Sequence, residues 1–259
     1  MQTERQSVFE ELKRVDALVD HLTDGPMVEE ILPFTVRVVR NETDLRKAVD
    51  IRQSAYARHL PELAEALAEP EMDDTKPDTV VLLAESKLDG SVLGSVRIQA
   101  NWGRPLNMER AITLPKWLQG QSIAEVRRLA IVRGTTGRLV KLILVKACFQ
   151  YCEINNIDWA LLGTNQTLKR GYEQLMFSDI LDGTTFLLPP PSNDVPHSAM
   201  AFEISTGHAR WKAAKHPLLR FFSYTHHPDI DVGRVGVSKE LHAVAHLTER
   251  LRTARAANL

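Results

Sequence analysis

The chain carries the stretch Glu125-Val126-Arg127-Arg128-Leu129-Ala130-Ile131-Val132, which passes from a carboxylate and two guanidinium groups into an apolar strand. The turn Arg133-Gly134-Thr135-Thr136-Gly137-Arg138 follows at once and opens a long apolar helix. Backbone N–H groups at a helix N-terminus form a ready site for an anion such as a phosphate. A strand that carries an acid, followed by a turn that suits a phosphate, indicates group transfer.

Composition and charge are those of an ordinary globular protein. The 259 residues are 44% hydrophobic and 25% charged, enough for one large domain or two small ones. A net charge of -1 gives no overall attraction to nucleic acid, which is not an expected partner. No apolar run approaches the roughly 18 residues that span a bilayer, and the N-terminus lacks an apolar signal core. We therefore expect a cytoplasmic protein without a transmembrane segment.

Metal ligation is not expected. Cys148 and Cys152 lie four residues apart in one apolar helix, where buried packing is a simpler interpretation than a disulfide or a zinc site. His242 and His246 share a face of the last predicted helix, and no nearby cysteine completes a set of ligands.

The hydrophobic periods predict a helix, a strand and a second helix in the first part of the chain. These elements are a helix within Ser7 to Leu22, a strand from Phe34 to Val39 and a helix from Asn41 to about His59. The segment Pro61 to Asp78 is strongly acidic, which is typical of a solvated loop or short helix and also of a loop with a function.

An antiparallel meander, a long helix and a closing hairpin are predicted next. The elements are the meander strands Thr79 to Ala84, Val92 to Gln99 and Ile123 to Val132, the helix Arg138 to Asn155, the strand Ile157 to Leu162, a helix to about Leu175, and a hairpin of Thr185 to Leu188 with Ser198 to Ile204. The tail from Gly207 ends in an amphipathic helix from Ser238 to Ala257.

This order of elements resembles that of the GNAT acyltransferase superfamily over about Phe34 to Ile204. The resemblance implies an α/β (α+β) fold, with a central, mostly antiparallel, splayed sheet flanked by helices. The corresponding division is an N-terminal helix in residues 1–30, an acyltransferase domain in 31–206 and a C-terminal extension in 207–259.

Four motifs resemble those of the acyl-homoserine-lactone synthases and the long-chain N-acyl amino acid synthases, in the same order along the chain. They are Ile51-Arg52-Gln53-Ser54-Ala55-Tyr56, the acidic Glu71-x-Asp73-Asp74, Gly94-Ser95-Val96-Arg97-Ile98, and Glu125-Val126-Arg127-Arg128-Leu129-Ala130-Ile131. Those families use an acyl-carrier protein as donor. The resemblance thus implies an acyl-carrier protein as partner and a small-molecule amine as acceptor, with no permanently bound cofactor.

Two departures from the related families narrow this interpretation. Acyl-CoA-dependent GNAT enzymes usually show [Gln/Arg]-x-x-Gly-x-[Gly/Ala], whereas Gly134 and Gly137 are not in that register. The single phosphate of a carrier-protein phosphopantetheine needs fewer backbone N–H groups than the pyrophosphate of CoA. The basic side chains nearby also suit an acidic carrier protein. Acyl-CoA stays an alternative donor. Between Arg52 and Asp78 the chain also lacks the tryptophan and the Asp-x-x-Asp pair typical of lactone synthases, which favours the amino acid synthases.

Glu125 and Arg128 are the predicted catalytic residues. In the families that the chain resembles, the acid equivalent to Glu125 is placed at the reaction centre, where it would take the proton of the acceptor amine. Burial would raise the pKa of this carboxyl and Arg128 would lower it, so the sequence leaves the direction open. A structural ion pair between Glu125 and an arginine is the alternative.

The predicted substrate-binding residues surround the acceptor. Arg52, with Tyr56 one turn later, can bind an acceptor carboxylate or pair with the acidic loop, and Arg97 has the same two interpretations. The acidic side chains can bind an acceptor ammonium or form a network with the arginines. They are Asp73, Asp74 and Asp78.

The predicted donor-binding residues follow the catalytic strand. The backbone of Leu129 and Ile131 can pair with a pantetheine arm, and one N–H can hold the oxyanion. The phosphate would lie on the turn of Arg133, Gly134, Thr135, Thr136, Gly137 and Arg138. Asn165 begins the next helix, where it is either a donor contact or a helix cap.

The sequence thus predicts an N-acyltransferase that moves a fatty acyl group from an acyl-carrier protein, or from acyl-CoA, to the amine of an amino acid or similar acceptor. An autoinducer synthase and a non-catalytic GNAT-like module that binds an acyl ligand or a protein are the alternatives.

Overall fold

The computed structural model describes residues 26–189 and 195–233. The predicted helices within Ser7 to Leu22 and Ser238 to Ala257, with the pair His242 and His246, lie outside these residues. Within the described residues, no helix is both long and apolar enough to cross a bilayer.

One large mixed sheet organises the chain. Its strands are β2 (Phe34–Val38), β3 (Thr79–Ser86), β4 (Val92–Ala100), β5 (Ile123–Ile131), β6 (Trp159–Thr164), β7 (Ser178–Asp179), β8 (Ser198–Glu203) and β10 (Ile230–Asp231). They lie in the order β10-β2-β3-β4-β5-β6-β8-β7, and every pair is antiparallel except β10 with β2 and β5 with β6. A separate parallel pair joins β1 (Val28–Glu29) to β9 (Thr225–His226). The mostly antiparallel sheet is therefore confirmed.

Helices cover both faces of the sheet. They are α1 (Glu42–Tyr56), α2 (Pro61–Ala66), α3 (Asn107–Ala111), α4 (Gly134–Ile154), α5 (Gln166–Gln174), α6 (Gly207–Ala213) and α7 (Leu219–Ser223), with a 3-10 helix at Met72–Thr75. The apolar side of α4, with Ile143 and Leu144 fully buried, packs against Val96 and Ile98 of β4. Each such side chain stabilises the fold by about 1.5–3 kcal/mol. On the opposite face, Ala48 of α1 packs against β3.

The sheet opens between β5 and β6. These parallel strands pair only from Ile123 with Trp159 to Glu125 with Leu161, although both continue beyond these pairs. From Val126 onwards, β5 therefore has no strand partner on its β6 side within the described residues. The opening begins at Glu125, which is the predicted catalytic acid.

A β-bulge interrupts β5 just after this point. The register with β4 shifts between Ser95 and Arg97, opposite Arg127 to Ala130. Arg128 lies in the bulge with a φ of 56°, a conformation that few residues other than glycine adopt. Because a bulge breaks the alternation of side chains, Arg127 and Arg128 point to the same face of the sheet as Glu125.

Two of the predicted elements differ from the observed ones. The segment Thr185 to Leu188 forms only a bridge from Phe186 to His197 instead of a strand, and the short β7 pairs with β8 in its place. Pro189 has no N–H for a sheet ladder, which explains why this segment does not continue as a strand. Helix α4 begins at Gly134, four residues earlier than predicted.

Candidate active site at the opening of the sheet

Glu125 is fully buried, and only one of its two oxygens accepts a hydrogen bond. Its Oε2 accepts a hydrogen bond from the backbone N–H of Met108 at 3.0 Å. Its Oε1 has no hydrogen-bond partner, and the side chain is 0% exposed. Burial raises the pKa of this carboxyl, and the nearby positive charges of Arg127 and Arg97 only partly oppose that effect. A carboxyl with a raised pKa is a stronger base than an ordinary glutamate.

Arg127 lies beside this carboxyl without forming a hydrogen bond to it. The Nε of Arg127 is 3.5 Å from Oε1 of Glu125, and the arginine side chain is 9% exposed. Burial lowers the pKa of Arg127, and the charges of Arg128 and Arg97 lower it further, while Glu125 acts in the opposite direction. This arginine was not among the predicted site residues, although a spacing of two in a strand already placed it on the face of Glu125.

Glu71 and Asp74 hold three arginines in a buried network. Asp74 receives Nη1 and Nη2 of Arg52, each at 2.9 Å. Glu71 receives Nε and Nη2 of Arg128 at 2.8 and 2.7 Å. Nη1 of Arg97 bridges both carboxylates, at 2.9 Å from Glu71 and 3.2 Å from Asp74. Of the two interpretations of Arg52 and Arg97, pairing with the acidic loop is thus observed.

These contacts set the charge of the two carboxylates. Burial alone would raise the pKa of Glu71, but its hydrogen bonds with Arg128 and the charges of Arg97 and Arg52 bring that pKa below the usual value. The pKa of Asp74 is lowered in the same way, mainly by Arg52. Both groups are therefore ionised at neutral pH and fix the arginines in place. Tyr56 also contacts Arg128.

The other two predicted acidic residues belong to a second cluster. Nη1 of Arg104 is 2.5 Å from Asp73, and its Nε is 2.9 Å from Asp78. Asn107 donates to Asp73 at 3.2 Å. Arg104 was not predicted, since nothing in the local pattern couples it to side chains that lie 26 and 31 residues earlier in the chain.

The other face of β5 lines an apolar cleft. Val126 and Leu129 form one wall, and Leu162 of β6 and Phe177 lie opposite. Tyr172 of α5 closes one side of the cleft. An apolar cleft between diverging strands can accept an extended chain that pairs with the free strand edge.

The glycine turn joins the end of β5 to the N-terminus of α4. Gly134 has a φ of +87°, and a Cβ on Gly137 would lie 1.9 Å from the carbonyl oxygen of Val132, so both positions require glycine. The side chains around the turn are exposed; they are Arg133, Thr135, Thr136 and Arg138.

The remaining donor residues have partners within the protein. The carbonyl of Ile131 accepts a hydrogen bond from Arg58 at 2.8 Å. Asn165 caps α5 by accepting from the N–H of Leu168 at 3.1 Å, which is the helix-cap interpretation. Lys146 is buried away from the turn and donates to the carbonyls of Phe221 and Thr225.

The described residues contain no group of three or more His, Cys, Asp or Glu side chains that could hold a metal ion. The site consists of a buried base, a network of arginines and carboxylates, and an apolar cleft, all joined at β5. Such a site can activate a nucleophile on the charged face of β5, and this nucleophile can attack an acyl group in the apolar cleft on the other face.

Comparisons with known proteins place the chain in a family. Residues 47–187 match the sequence model of the family described as N-acyl amino acid synthase FeeM. No curated protein sequence matched the chain.

Two solved structures share the fold. The N-acyl amino acid synthase FeeM from uncultured soil microbes aligns with a TM-score of 0.53 and 16% identity, over 73% of this chain and 96% of that protein. The CoA-dependent acyl-homoserine lactone synthase BjaI aligns with a TM-score of 0.52 and 19% identity, over 83% of this chain and 99% of that protein. BjaI is also described with SAM and isopentyl-CoA. The GNAT-like fold is confirmed by these likenesses.

Proposed function

The chain belongs to the N-acyl amino acid synthase FeeM family and is an N-acyltransferase, and from this premise we propose that it moves a fatty acyl group from the phosphopantetheine of an acyl-carrier protein to the amine of an amino acid. Glu125 is the base in this proposal. Family membership favours this enzyme over the non-catalytic binding module.

The observation that carries the proposal is that Oε1 of Glu125, at the opening of the sheet, accepts no hydrogen bond and has only the ion-pair contact with Arg127. Oε2 is held by Met108, which fixes the carboxyl, and Oε1 is left for a ligand. An acceptor amine that donates an N–H to Oε1 stands at the charged face, next to the point where β5 loses its partner strand. A thioester in the cleft beyond Val126 would present its carbonyl carbon to that amine.

The reaction then proceeds with few groups. The neutral amine attacks the thioester carbon, a C–N bond forms, and the carbonyl oxygen becomes an oxyanion. Glu125 takes the proton that the amine loses, either directly or through a water. When the C–S bond breaks, the leaving thiolate takes up a proton, and the products are an amide and a free thiol. A backbone N–H on the unpaired edge of β5 supports the oxyanion.

The buried network positions this chemistry. Glu71 and Asp74 fix Arg128 and Arg97 next to the base, so the electrostatic field at Glu125 does not have to reorganise during the reaction. Arg128 is thereby assigned an electrostatic role at the reaction centre. Arg52 and Tyr56 support the same network from α1.

An acyl-carrier protein is the proposed donor because the N-terminus of α4 can bind a single phosphate and exposed positive charge lies around it. Arg133 and Arg138 are exposed there and match the acidic surface of a carrier protein. Acyl-CoA is the second candidate donor, since BjaI is described as CoA-dependent. Both donors occur in the cytoplasm, which is the location that the proposal requires.

Product analysis tests the proposal directly. The purified protein is incubated with palmitoyl-acyl-carrier protein or palmitoyl-CoA and an equimolar mixture of the twenty standard amino acids, and products are identified by mass spectrometry. We expect N-acyl amino acids, formed faster from the carrier protein. A lactone formed on addition of S-adenosylmethionine would identify an autoinducer synthase instead, and the absence of any amide with either donor would contradict the proposal.

A further inference from the structure

Two arginines of the site face each other across neighbouring strands. Arg97 of β4 and Arg127 of β5 are direct register partners, and the charge of each acts on the other. Like charges in this position destabilise an antiparallel pair unless an anion lies close to both. The question is therefore whether the carboxylates of the protein bind both arginines.

The carboxylates accept hydrogen bonds from Arg97 but not from Arg127. Arg97 donates to Glu71 and Asp74 through Nη1, but its buried Nη2 has no hydrogen-bond partner. Arg127 approaches Glu125 at 3.5 Å, and its side chain forms no hydrogen bond within the described residues. Arg52, Arg104 and Arg128, by contrast, each donate at least two hydrogen bonds to carboxylates; these bonds reach Asp74, Asp73, Asp78 and Glu71.

A hydrogen-bond acceptor and a hydrogen-bond donor, neither of which has a hydrogen-bond partner, thus lie side by side on β5. Oε1 of Glu125 can accept from an amine, and the guanidinium of Arg127 can donate to a carboxylate. Because Nε of Arg127 is only 3.5 Å from Oε1 of Glu125, one small ligand can reach both groups. A ligand whose amine and carboxylate stand on the same carbon has the required spacing.

We propose that Arg127, assisted by Nη2 of Arg97, binds the carboxylate of the acceptor and thereby restricts the enzyme to amines that carry a free carboxylate. This inference rests on the proposed function, since it names the part of the acceptor that is recognised. A guanidinium presents a planar fork that fits a carboxylate with two hydrogen bonds. An amine without the carboxylate would leave two buried cations facing each other.

Arg127 is also more exposed than the three arginines that Glu71 and Asp74 hold. The Arg52 side chain is 0% exposed, and its Nη1 and Nη2 both bind Asp74. Arg128 is turned towards Glu71. The Arg127 side chain keeps 9% exposure beside Glu125.

The test compares amino acids with their amides. The twenty standard amino acids and the matching amino acid amides are offered to the wild type, to Arg127→Gln and to Arg127→Lys, with palmitoyl-acyl-carrier protein as donor. Arg110→Gln is the matched control, because Arg110 is an exposed arginine of α3 close to the site. Thermal unfolding of every variant verifies that it is folded.

The ratio of acid to amide in kcat/KM is the deciding quantity. We expect Arg127→Gln to reduce this ratio about 10- to 100-fold, mostly through KM, and Arg127→Lys to restore part of it. Loss of Arg127 also raises the pKa of Glu125 and therefore changes the rate with both kinds of acceptor, so a change in absolute rate does not decide the question. An unchanged ratio in Arg127→Gln overturns the inference.

Calorimetry separates this inference from the proposed function. The same amino acids and amides are titrated into the wild type and Arg127→Gln without donor. Binding that needs the carboxylate and is lost in Arg127→Gln supports the role of Arg127 even if no amide is ever formed. If the wild type forms amides but Arg127→Gln keeps the preference for acids, the role of Arg127 is wrong and the proposed function stands. A wild type with neither turnover nor carboxylate-dependent binding contradicts both.

Discussion

The two faces of β5 differ in chemistry although they belong to the same nine-residue strand. On one face, Glu125, Arg127 and Arg128 enter a buried set of charges. On the other face, Val126 and Leu129 line an apolar cleft. The bulge at Arg128 is the cause, because it puts two neighbouring arginines on one side. A single strand thus carries a charged face and an apolar face, which meet where β6 separates from β5.

The charged face depends most on Glu71, so removal of this carboxylate should have the largest effect on stability. In Glu71→Gln, three buried arginines lose an anionic partner, and we expect the free energy of unfolding to fall by about 3 kcal/mol. Chemical denaturation at neutral pH measures this. The difference from wild type should narrow as the pH falls below 4.5, because the pKa of Glu71 is lowered in the folded state and its contribution is lost on protonation.

Glu69→Gln is the control for that experiment. Glu69 is 76% exposed and pairs with Arg46 at the surface, so we expect a change below about 0.5 kcal/mol. Equal effects of Glu69→Gln and Glu71→Gln would show that the network does not stabilise the charged face.

The apolar face depends on the close approach of α4 to the end of β5 at Gly137. A Cβ at this position would collide with the carbonyl of Val132, and we expect Gly137→Ala to cost about 2 kcal/mol. The KM for the acyl donor should rise while the KM for the acceptor stays constant. Gly171→Ala is the matched control, because nothing lies within 4 Å of its Cβ, and alanine should stabilise α5 by about 0.5–1 kcal/mol.

Glu125 lies where the two faces meet, and its buried carboxylate should make the stability of the wild type depend on pH. Glu125→Gln keeps an acceptor for the N–H of Met108 and removes a carboxylate whose pKa is raised by burial. The wild type should therefore lose stability relative to Glu125→Gln as the pH rises above 4.5, since the unfolded chain releases its proton first. Thermal unfolding from pH 4 to pH 8 measures this, and a difference that shrinks as the pH rises would contradict the buried state of the carboxyl.

The exposed turn should have the smallest effect. We expect Arg138→Gln to raise the KM for an acyl-carrier protein about two- to fivefold at low salt, with a smaller effect for acyl-CoA and in high salt. Arg110→Gln provides the control. If Arg138→Gln affects both donors equally at every salt concentration, the turn does not recognise the surface of the carrier protein.

Strong local patterns allowed much of the fold to be predicted from the sequence. The meander of β3, β4 and β5 follows from alternation, the helix after Asn41 follows from its hydrophobic period, and both were found. Two-residue strands such as β10 were missed, because they are too short for a hydrophobic period. The positive φ of Arg128 could not be predicted, because only a glycine would have signalled such a conformation in the sequence.

The sequence predicted most residues of the candidate site but not which of them bind each other. The motifs placed Arg52, Arg97 and Asp74 in one site, and the structure joins them. Which carboxylate holds which arginine depends on partners more than 20 residues apart in the chain. For this reason the sequence did not reveal that Glu71 is the centre of the network or that Arg127 has no hydrogen-bonded carboxylate.

The most direct test of the account is the pH dependence of a single turnover in the wild type and in Glu125→Gln, with a saturating acyl donor and a preferred amino acid. We expect the wild-type rate to rise with pH around an apparent pKa above 4.5, the ordinary value of a glutamate, and Glu125→Gln to lose at least about 100-fold while remaining folded. If Glu125→Gln retains the wild-type rate and the same pH profile, Glu125 is not the base and only holds the surrounding charges in place.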